Sequence, residues 1–210
     1  NKACVGYYSN STKIVKTVAN TLTGISAVLM PRFSYLFSVR NYSRIKELSE
    51  QFLNLTFAIS IPGCIGINLL ANQIVEVLFG ENFEPAVLTI RILSLLIILM
   101  PLSGGVFCQL LLTSGKEKFY LACVLSGTIV NAVLNYFLIP INAQSGAAIA
   151  SVIAELTVTL SMIIVSRKTI RIGIKIRDII SVLLSSFLMG IVLLLLRNIL
   201  PSAFTVVYLI

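Results

Sequence analysis

The sequence predicts an all-α membrane protein, a polytopic bundle of transmembrane helices with six complete spans and the start of a seventh. Three observations carry that prediction. Hydrophobic residues make up 57% of the chain and charged residues only 11%, and the mean hydropathy is +0.98, a composition that suits lipid and leaves too few charges to cover a water-facing surface. Apolar stretches of about 20 residues, the length that crosses about 30 Å of hydrocarbon, recur along the whole chain. The segments between them alternate between Lys/Arg-rich and Lys/Arg-free.

Taken in order, the spans fall near residues 8–31, 52–71, 86–113, 119–139, 145–165 and 178–197, and residues 203–210 read as the first turns of another. No low-complexity linker or water-soluble module interrupts them, so residues 1–210 read as one transmembrane helical domain. The chain starts at Asn1, just before a span, with no initiator Met and no basic signal-peptide region. It therefore reads as an internal or C-terminal portion of a longer transporter-like chain.

Charge sets the orientation. The first connection holds Arg32, Arg40, Arg44 and Lys46; the third holds Lys116 and Lys118; the fifth holds Arg167, Lys168, Arg171, Lys175 and Arg177. The second, from Asn72 to Glu84, has Glu76, Glu81 and Glu84 but neither Lys nor Arg, and the fourth, Pro140 to Gln144, is uncharged. Basic connections stay on the cytoplasmic side, so Asn1 is expected outside. Much of the net charge of +8 is then a topology signal and an attraction to anionic lipid headgroups. It does not point to nucleic acid, because a nucleic-acid binder concentrates its cations on a water-facing surface.

Several local patterns concern packing. In Asn41–Gln51, Ile45 and Leu48 alternate with charges at helical spacing, which fits either a short amphipathic helix on the inner surface or an ordinary solvated helix. Gly146, Ala150 and Ala154 share one face of the fifth span, where small side chains let a neighbouring backbone come close. Asn131 and Asn135, one turn apart, are expected to bond across a helix interface. Pro62 and Pro101 each remove a backbone donor inside a span and predict kinks. Cys4, Cys64, Cys108 and Cys123 have no metal-ligand spacing and read as small apolar fillers. Three matches to the glycosylation sequon, at Asn10, Asn41 and Asn54, read as coincidence, since one falls in a span and one faces the cytoplasm.

Function is sought where charge enters the membrane, at about 2.5–3.5 kcal/mol per residue on insertion scales. Lys13, Lys16, Arg91 and Glu155 are such residues. Ser9, Lys13, Lys16, Asn20 and Thr23 follow a spacing of three to four residues and form a polar stripe along the first span. A cationic stripe of this kind suits a water-filled cavity, and two ammonium groups one turn apart suit a diphosphate. Snorkelling of the two lysines to the outer headgroups is the competing reading, and it applies to Arg91 as well. Glu155 lies near the middle of its span, where a carboxylate is protonated or paired; it could pair with Lys16 or Arg91, carry a coupling proton, or help a cation bind. The chain has no His, a single Asp, and no metal-ligand or paired-carboxylate cluster within a span, so catalysis by a membrane-embedded transferase, a resident metal and a cofactor are all unsupported.

The residues also carry a resemblance. Val5-Gly6-Tyr7-Tyr8-Ser9 with Lys13-Ile14 and Leu29-Met30-Pro31-Arg32-Phe33-Ser34 forms one block. Ile74-Val75, Leu78-Phe79-Gly80, Phe83 and Ala86 form a second, and Asn131, Leu134-Asn135, Ile139-Pro140 and Gly146-Ala147-Ala148-Ile149-Ala150 a third. Together, over residues 5–165, they resemble the polysaccharide-export and O-antigen flippase family of the multidrug/oligosaccharidyl-lipid/polysaccharide exporter superfamily. The resemblance implies two pseudo-symmetric helical bundles, of which this chain would be the second, with the missing N-terminal bundle as its partner. It implies a bacterial cytoplasmic membrane, and movement of an oligosaccharide on a polyprenyl diphosphate from the cytoplasmic to the outer leaflet by alternating access. Polysaccharide polymerase and glycosyltransferases would be its neighbours, and surrounding lipids its solvent. Lys13, Lys16 and Asn20, with Arg91, are then the expected substrate-binding residues, and Glu155 the expected ion-coupling or charge-pairing one. An ion-coupled exporter of cationic drugs, from the same superfamily, would favour buried carboxylates, and only Glu155 is available against Lys13, Lys16 and Arg91. A purely structural scaffold leaves the cationic stripe unexplained.

Overall fold

The computed structural model describes residues 2–170, 172–173 and 176–199. The expected span start at 203–210 lies outside the described residues, as do Arg171 and Lys175 of the fifth connection. Every regular element among the described residues is helical.

The first span is longer than its apolar run. Helix α1 (Lys2–Ile25) passes through a 3₁₀ turn (Ser26–Val28) into α2 (Leu29–Ser38). Its second face is apolar or small: Ser11, Val15 and Ala19, at i, i+4 and i+8, are fully buried, whereas Lys13, Lys16 and Asn20 are exposed. The two-faced pattern is what a helix between a protein core and a polar surface requires.

Helix α3 (Tyr42–Leu69) begins three residues after α2, with the Asn41 side chain accepting from the Arg44 amide at 3.1 Å, a standard N-cap. No separate surface helix forms over 41–51. Ile45, Leu48 and Ser49 are buried against α2 and the third span, so the stretch is the first turns of a spanning helix. Helix α3 also runs through Pro62 without interruption. Short α4 (Ala71–Phe79) and a 3₁₀ turn (Glu81–Phe83) lead to the third span.

That span is composite: α5 (Ala86–Leu93), α6 (Leu96–Met100), a π-helical segment (Pro101–Phe107) and α7 (Cys108–Thr113). It is the most enclosed element of the bundle, with Ile90, Leu93, Ile97, Val106, Leu110 and Leu111 fully buried, and α1, α3 and α8 packed around it. Helices apolar on all sides belong in such a position. The break predicted at Pro101 is present: Gly105 leaves helical geometry (φ −92°, ψ −108°).

Helix α8 (Glu117–Arg167) is 51 residues long, far more than one bilayer crossing at about 1.5 Å per residue. It folds back at Ala143 (φ 44°, ψ −121°). Gly127 lies against Ala154 and Val158, and Gly146 against the Leu138 backbone, so the arms 117–142 and 144–167 run antiparallel. They are the expected fourth and fifth spans, joined by a one-residue reversal in place of the expected Pro140–Gln144 loop. Among the described residues, five long apolar helices thus make six crossings. The small face at Gly146 serves this hairpin, and Asn135 donates to Asn131 at 2.9 Å along its own helix, not across an interface.

Helix α9 (Ile176–Ile199) runs parallel to α3, with Asn54 donating to Asp178 at 3.1 Å near one end and Gly190 meeting Leu69 and Ile65 near the other. The connections sort by charge. At one end Lys116 donates to Thr169 Oγ1 at 2.7 Å and the Gly173 amide to Glu50 at 2.8 Å, joining the first, third and fifth connections. At the other, Tyr7 donates to the Asn82 carbonyl at 3.2 Å and Gln144 to the Pro85 carbonyl at 3.4 Å, joining the N-terminal helix to the second and fourth. Basic and non-basic connections therefore occupy opposite ends, as the sequence predicts.

Candidate substrate groove

The exposed face of α1 carries a groove of about 370 Å³ lined by Tyr8, Ser9, Thr12, Lys13, Lys16, Thr17 and Asn20, with Val5 at its edge. Ser9, Lys13, Lys16 and Asn20, four of the five stripe residues, line it because 3–4 residue spacing keeps them on one side of the helix. Thr23 does not: its hydroxyl returns to the Ala19 carbonyl at 2.9 Å and its methyl faces Gly104. The Thr17 hydroxyl is likewise satisfied by the Lys13 carbonyl at 2.7 Å. The Thr12 hydroxyl is shielded and has no partner among the described residues. Neither lysine takes part in an ion pair; the ion pairs among the described residues are Arg44–Glu47 and Lys46–Glu50. The groove therefore presents two uncompensated ammonium groups with hydroxyl and amide donors beside them.

Adjoining the groove, between α1 and the α8 hairpin, lies a second cavity of about 350 Å³. Its polar lining is Tyr8, Lys16, Thr128, Asn131, Ser151 and Glu155, and its apolar lining includes Leu96, Met100, Val124 and Val158. Tyr8 and Lys16 belong to both hollows. Tyr8 is anchored by a 2.8 Å hydrogen bond with Ser151. Glu155 is half-buried and accepts a hydrogen bond from the Ser103 hydroxyl, with the Met100 carbonyl at 3.3 Å as that hydroxyl's other neighbour. No ion pair joins Glu155 to Lys16 or to Arg91, so the pairing considered from sequence is not made, although Lys16 and Glu155 face the same cavity.

Arg91 stands apart from the stripe. It is exposed on α5 and its guanidinium reaches Asn72 Oδ1 at 3.5 Å, while its carbonyl accepts from Asn68 and Ser94. A further hollow of about 430 Å³ is on that side, lined by Asn72, Val75, Glu76, Gly80, Glu84 and Val87. With two carboxylates in its wall it is poorly suited to an anion. Among the described residues no group of His, Cys, Asp and Glu could hold a metal ion.

Ser103 and Ser151 were not singled out from sequence. The signal for Ser103 was available in Pro101-Leu102-Ser103-Gly104-Gly105, a run that breaks a helix and turns a hydroxyl out of its ladder. Ser151, a small residue in a Gly/Ala-rich stretch, gave no such sign.

Comparison with known proteins adds the following. A family model described as Lipid II flippase MurJ matches residues 2–210. A protein of Escherichia coli (strain K12) described as a putative O-antigen transporter is 26% identical over 165 residues, 78% of this chain and 39% of that protein. A solved structure of the lipid II flippase MurJ in an inward closed conformation superposes on all of this chain with a TM-score of 0.76, at 16% identity and over 46% of its own length. The chain thus spans less than half the length of the relatives it matches.

Proposed function

The chain belongs to the lipid II flippase MurJ family, and on that premise we propose that it supplies one wall of a flippase for lipid-linked saccharides. The substrate class is an oligosaccharide on a polyprenyl diphosphate carrier, moved from the cytoplasmic to the outer leaflet of a bacterial inner membrane. Asn1 lies on the outer side in this reading. The other wall comes from a second helical bundle, and the cavity opens alternately to each side as the bundles rock.

The observation that carries the proposal is the α1 groove, where Lys13 and Lys16 stand beside Asn20 and Ser9 with no ion pair among the described residues. Two ammonium groups at this spacing neutralise a diphosphate, and the neighbouring donors orient its oxygens. Lys13, Lys16 and Asn20 form the diphosphate subsite. Arg91 serves the outer end of the bundle through Asn72 and has no part in that subsite. A cationic drug would meet like charge in the groove, so the organic-cation exporter reading is disfavoured. Among the described residues no nucleophile–base pair flanks the groove, which fits transport better than bond-making chemistry.

The test is leaflet-resolved labelling of the lipid-linked oligosaccharide in cells making the full-length protein, wild type against Lys13→Ala/Lys16→Ala at equal abundance. Accumulation in the cytoplasmic leaflet is expected for the variant. Unchanged appearance in the outer leaflet removes the two lysines from the mechanism, and no change on deleting the whole protein removes the flippase reading.

A further inference from the structure

Arg91 has no place in the groove, yet its guanidinium comes to a hollow walled by two carboxylates and pairs with neither. That hollow, about 430 Å³ at the non-basic end, has Asn72, Glu76 and Glu84 as its polar lining. Gly80, at φ 79°, turns the chain after α4, a conformation that favours glycine. Helix α4 thereby supplies Asn72 and Glu76 to one wall, and the approach to α5 supplies Glu84 and Val87 to the other. Arg91 is one turn beyond Val87, and its guanidinium meets the hollow at Asn72 Oδ1, 3.5 Å away. The ion pairs among the described residues, Arg44–Glu47 and Lys46–Glu50, are at the opposite end of the bundle. One cation and two carboxylates thus meet at one space with their charges kept apart.

We propose that this hollow holds the head group of a membrane phospholipid that carries a primary amine, with its phosphate on Arg91 and Asn72 and its ammonium on Glu76 and Glu84. The order of charge across the membrane is that of such a lipid. Arg91 comes from within the third span, whereas Glu84 is seven residues nearer the end, about 10 Å along a helix at about 1.5 Å per residue; a phospholipid likewise carries its amine outside its phosphate. The arginine reaches back toward the head groups through Asn72, as a snorkelling side chain does. The level of the hollow agrees. On its other side, α4 turns Ile74, Val77 and Leu78 to a separate hollow, and Val77 and Leu78 are exposed. Two such faces belong to a helix lying at the head-group boundary with its apolar side in hydrocarbon. Tyr7 packs edge-on against Phe83 at 5.2 Å beside it, at the depth where tyrosine rings collect.

Charge decides among head groups. An anionic one meets Glu76 and Glu84 as like charge. A trimethylated amine has no N–H to donate to a carboxylate, so it forgoes the charge-assisted hydrogen bonds that a primary amine makes. A divalent cation between the carboxylates leaves Arg91 unmatched and is repelled by it. The assignment needs only that the chain spans a bilayer; it is independent of the diphosphate reading of the α1 groove.

The experiment is native mass spectrometry of the full-length protein, stripped of divalent ions and titrated with phosphatidylethanolamine, phosphatidylcholine or phosphatidylglycerol. In wild type the first phosphatidylethanolamine is expected to bind about three- to tenfold more tightly than the first phosphatidylcholine, the size expected of two exposed charge pairs. Glu76→Gln/Glu84→Gln is expected to lose that preference and to gain affinity for phosphatidylglycerol, while Arg91→Gln weakens all three lipids. The three positions are exposed, so folding is not at stake in these variants. If wild type shows no preference, or the double variant keeps it, the site is overturned. It is overturned equally if soluble phosphoethanolamine displaces the lipid at matching concentration, which makes the ligand a free solute, or if added magnesium ion displaces it from wild type and not from the double variant, which makes the hollow a cation site. None of these outcomes bears on the groove, whose probe is a diphosphate.

Discussion

The Ser26 hydroxyl oxygen lies 2.7 Å from the point a Cβ on Gly105 would occupy. The 3₁₀ turn of the first span and the π-helical segment of the third therefore interlock, with Thr23 similarly close to Gly104 at 3.3 Å. This junction lies between two separate cores. One gathers Leu29, Phe33, Ile45, Phe107 and Leu110 toward the basic end; the other gathers Val15, Val75, Ile90, Leu93 and Ile97 toward the opposite end. A glycine at position 105 lets the backbones of two broken helices meet where a side chain could not fit.

Gly105→Ala is accordingly predicted to destabilise the bundle by about 1–3 kcal/mol, the range for overpacking a filled site. Adding Ser26→Ala should recover part of the loss, because the hydroxyl is the nearest obstacle and the Ser26 Cβ, at 3.2 Å, a lesser one. Thermal unfolding of the purified protein in detergent measures both. Equal stability of Gly105→Ala and wild type would mean the two breaks do not interlock.

The α8 reversal makes a second demand. A Cβ on Gly146 would stand 2.3 Å from the Leu138 carbonyl oxygen, a backbone atom that cannot swing aside. Gly146→Ala should therefore cost at least as much as the about 1–3 kcal/mol of ordinary overpacking. Gly66→Ala, in open space on α3, should be neutral or stabilising by up to about 1 kcal/mol, as expected for Gly to Ala in a helix. The contrast between the two melting temperatures is the readout, and a Gly146→Ala protein as stable as Gly66→Ala would refute the close approach.

The division of cations between the groove and Arg91 predicts a split phenotype. Lys13→Ala/Lys16→Ala should weaken farnesyl diphosphate binding at least tenfold, given about 1.5–3 kcal/mol for hydrogen bonds to charged groups. Arg91→Ala should leave that affinity within about twofold, since an exposed pair contributes about 0–1 kcal/mol to anything it touches. Fluorescence competition on nanodisc-reconstituted protein distinguishes these outcomes. A large loss in Arg91→Ala would return that residue to the subsite.

Orientation is testable with single cysteines introduced into a cysteine-free background. A cysteine at Asn82 should react with a membrane-impermeant maleimide in intact cells, and one at Ser114 only after permeabilisation. The reverse pattern would invert the topology and, with it, the side from which the groove is reached.

What the sequence determined by itself was the class of protein, the placement of its crossings and the sorting of its ends. Apolar run length and the position of Lys and Arg are properties of the chain taken one segment at a time, and the bilayer reads them in the same way. The lysine stripe was equally legible, because helical periodicity alone brings Lys13, Lys16 and Asn20 to one side. Relations between segments were decided only by the tertiary structure. Pro62 and Pro101 look alike in sequence, yet only the second breaks its helix: Gly104 and Gly105 follow it and receive Thr23 and Ser26, whereas nothing approaches Gly66. Asn41–Gln51 fitted a surface amphipathic helix and an ordinary solvated helix equally well until Ile45 and Leu48 found a core to fill. Glu155 took Ser103, 52 positions away, as its partner in place of a charge, and Arg91 was carried to Asn72 by the side of α5 it occupies. A polar group in a membrane protein must find whatever partner packing brings within reach. Which partner that is depends on how the helices lie against one another, and no single segment encodes it.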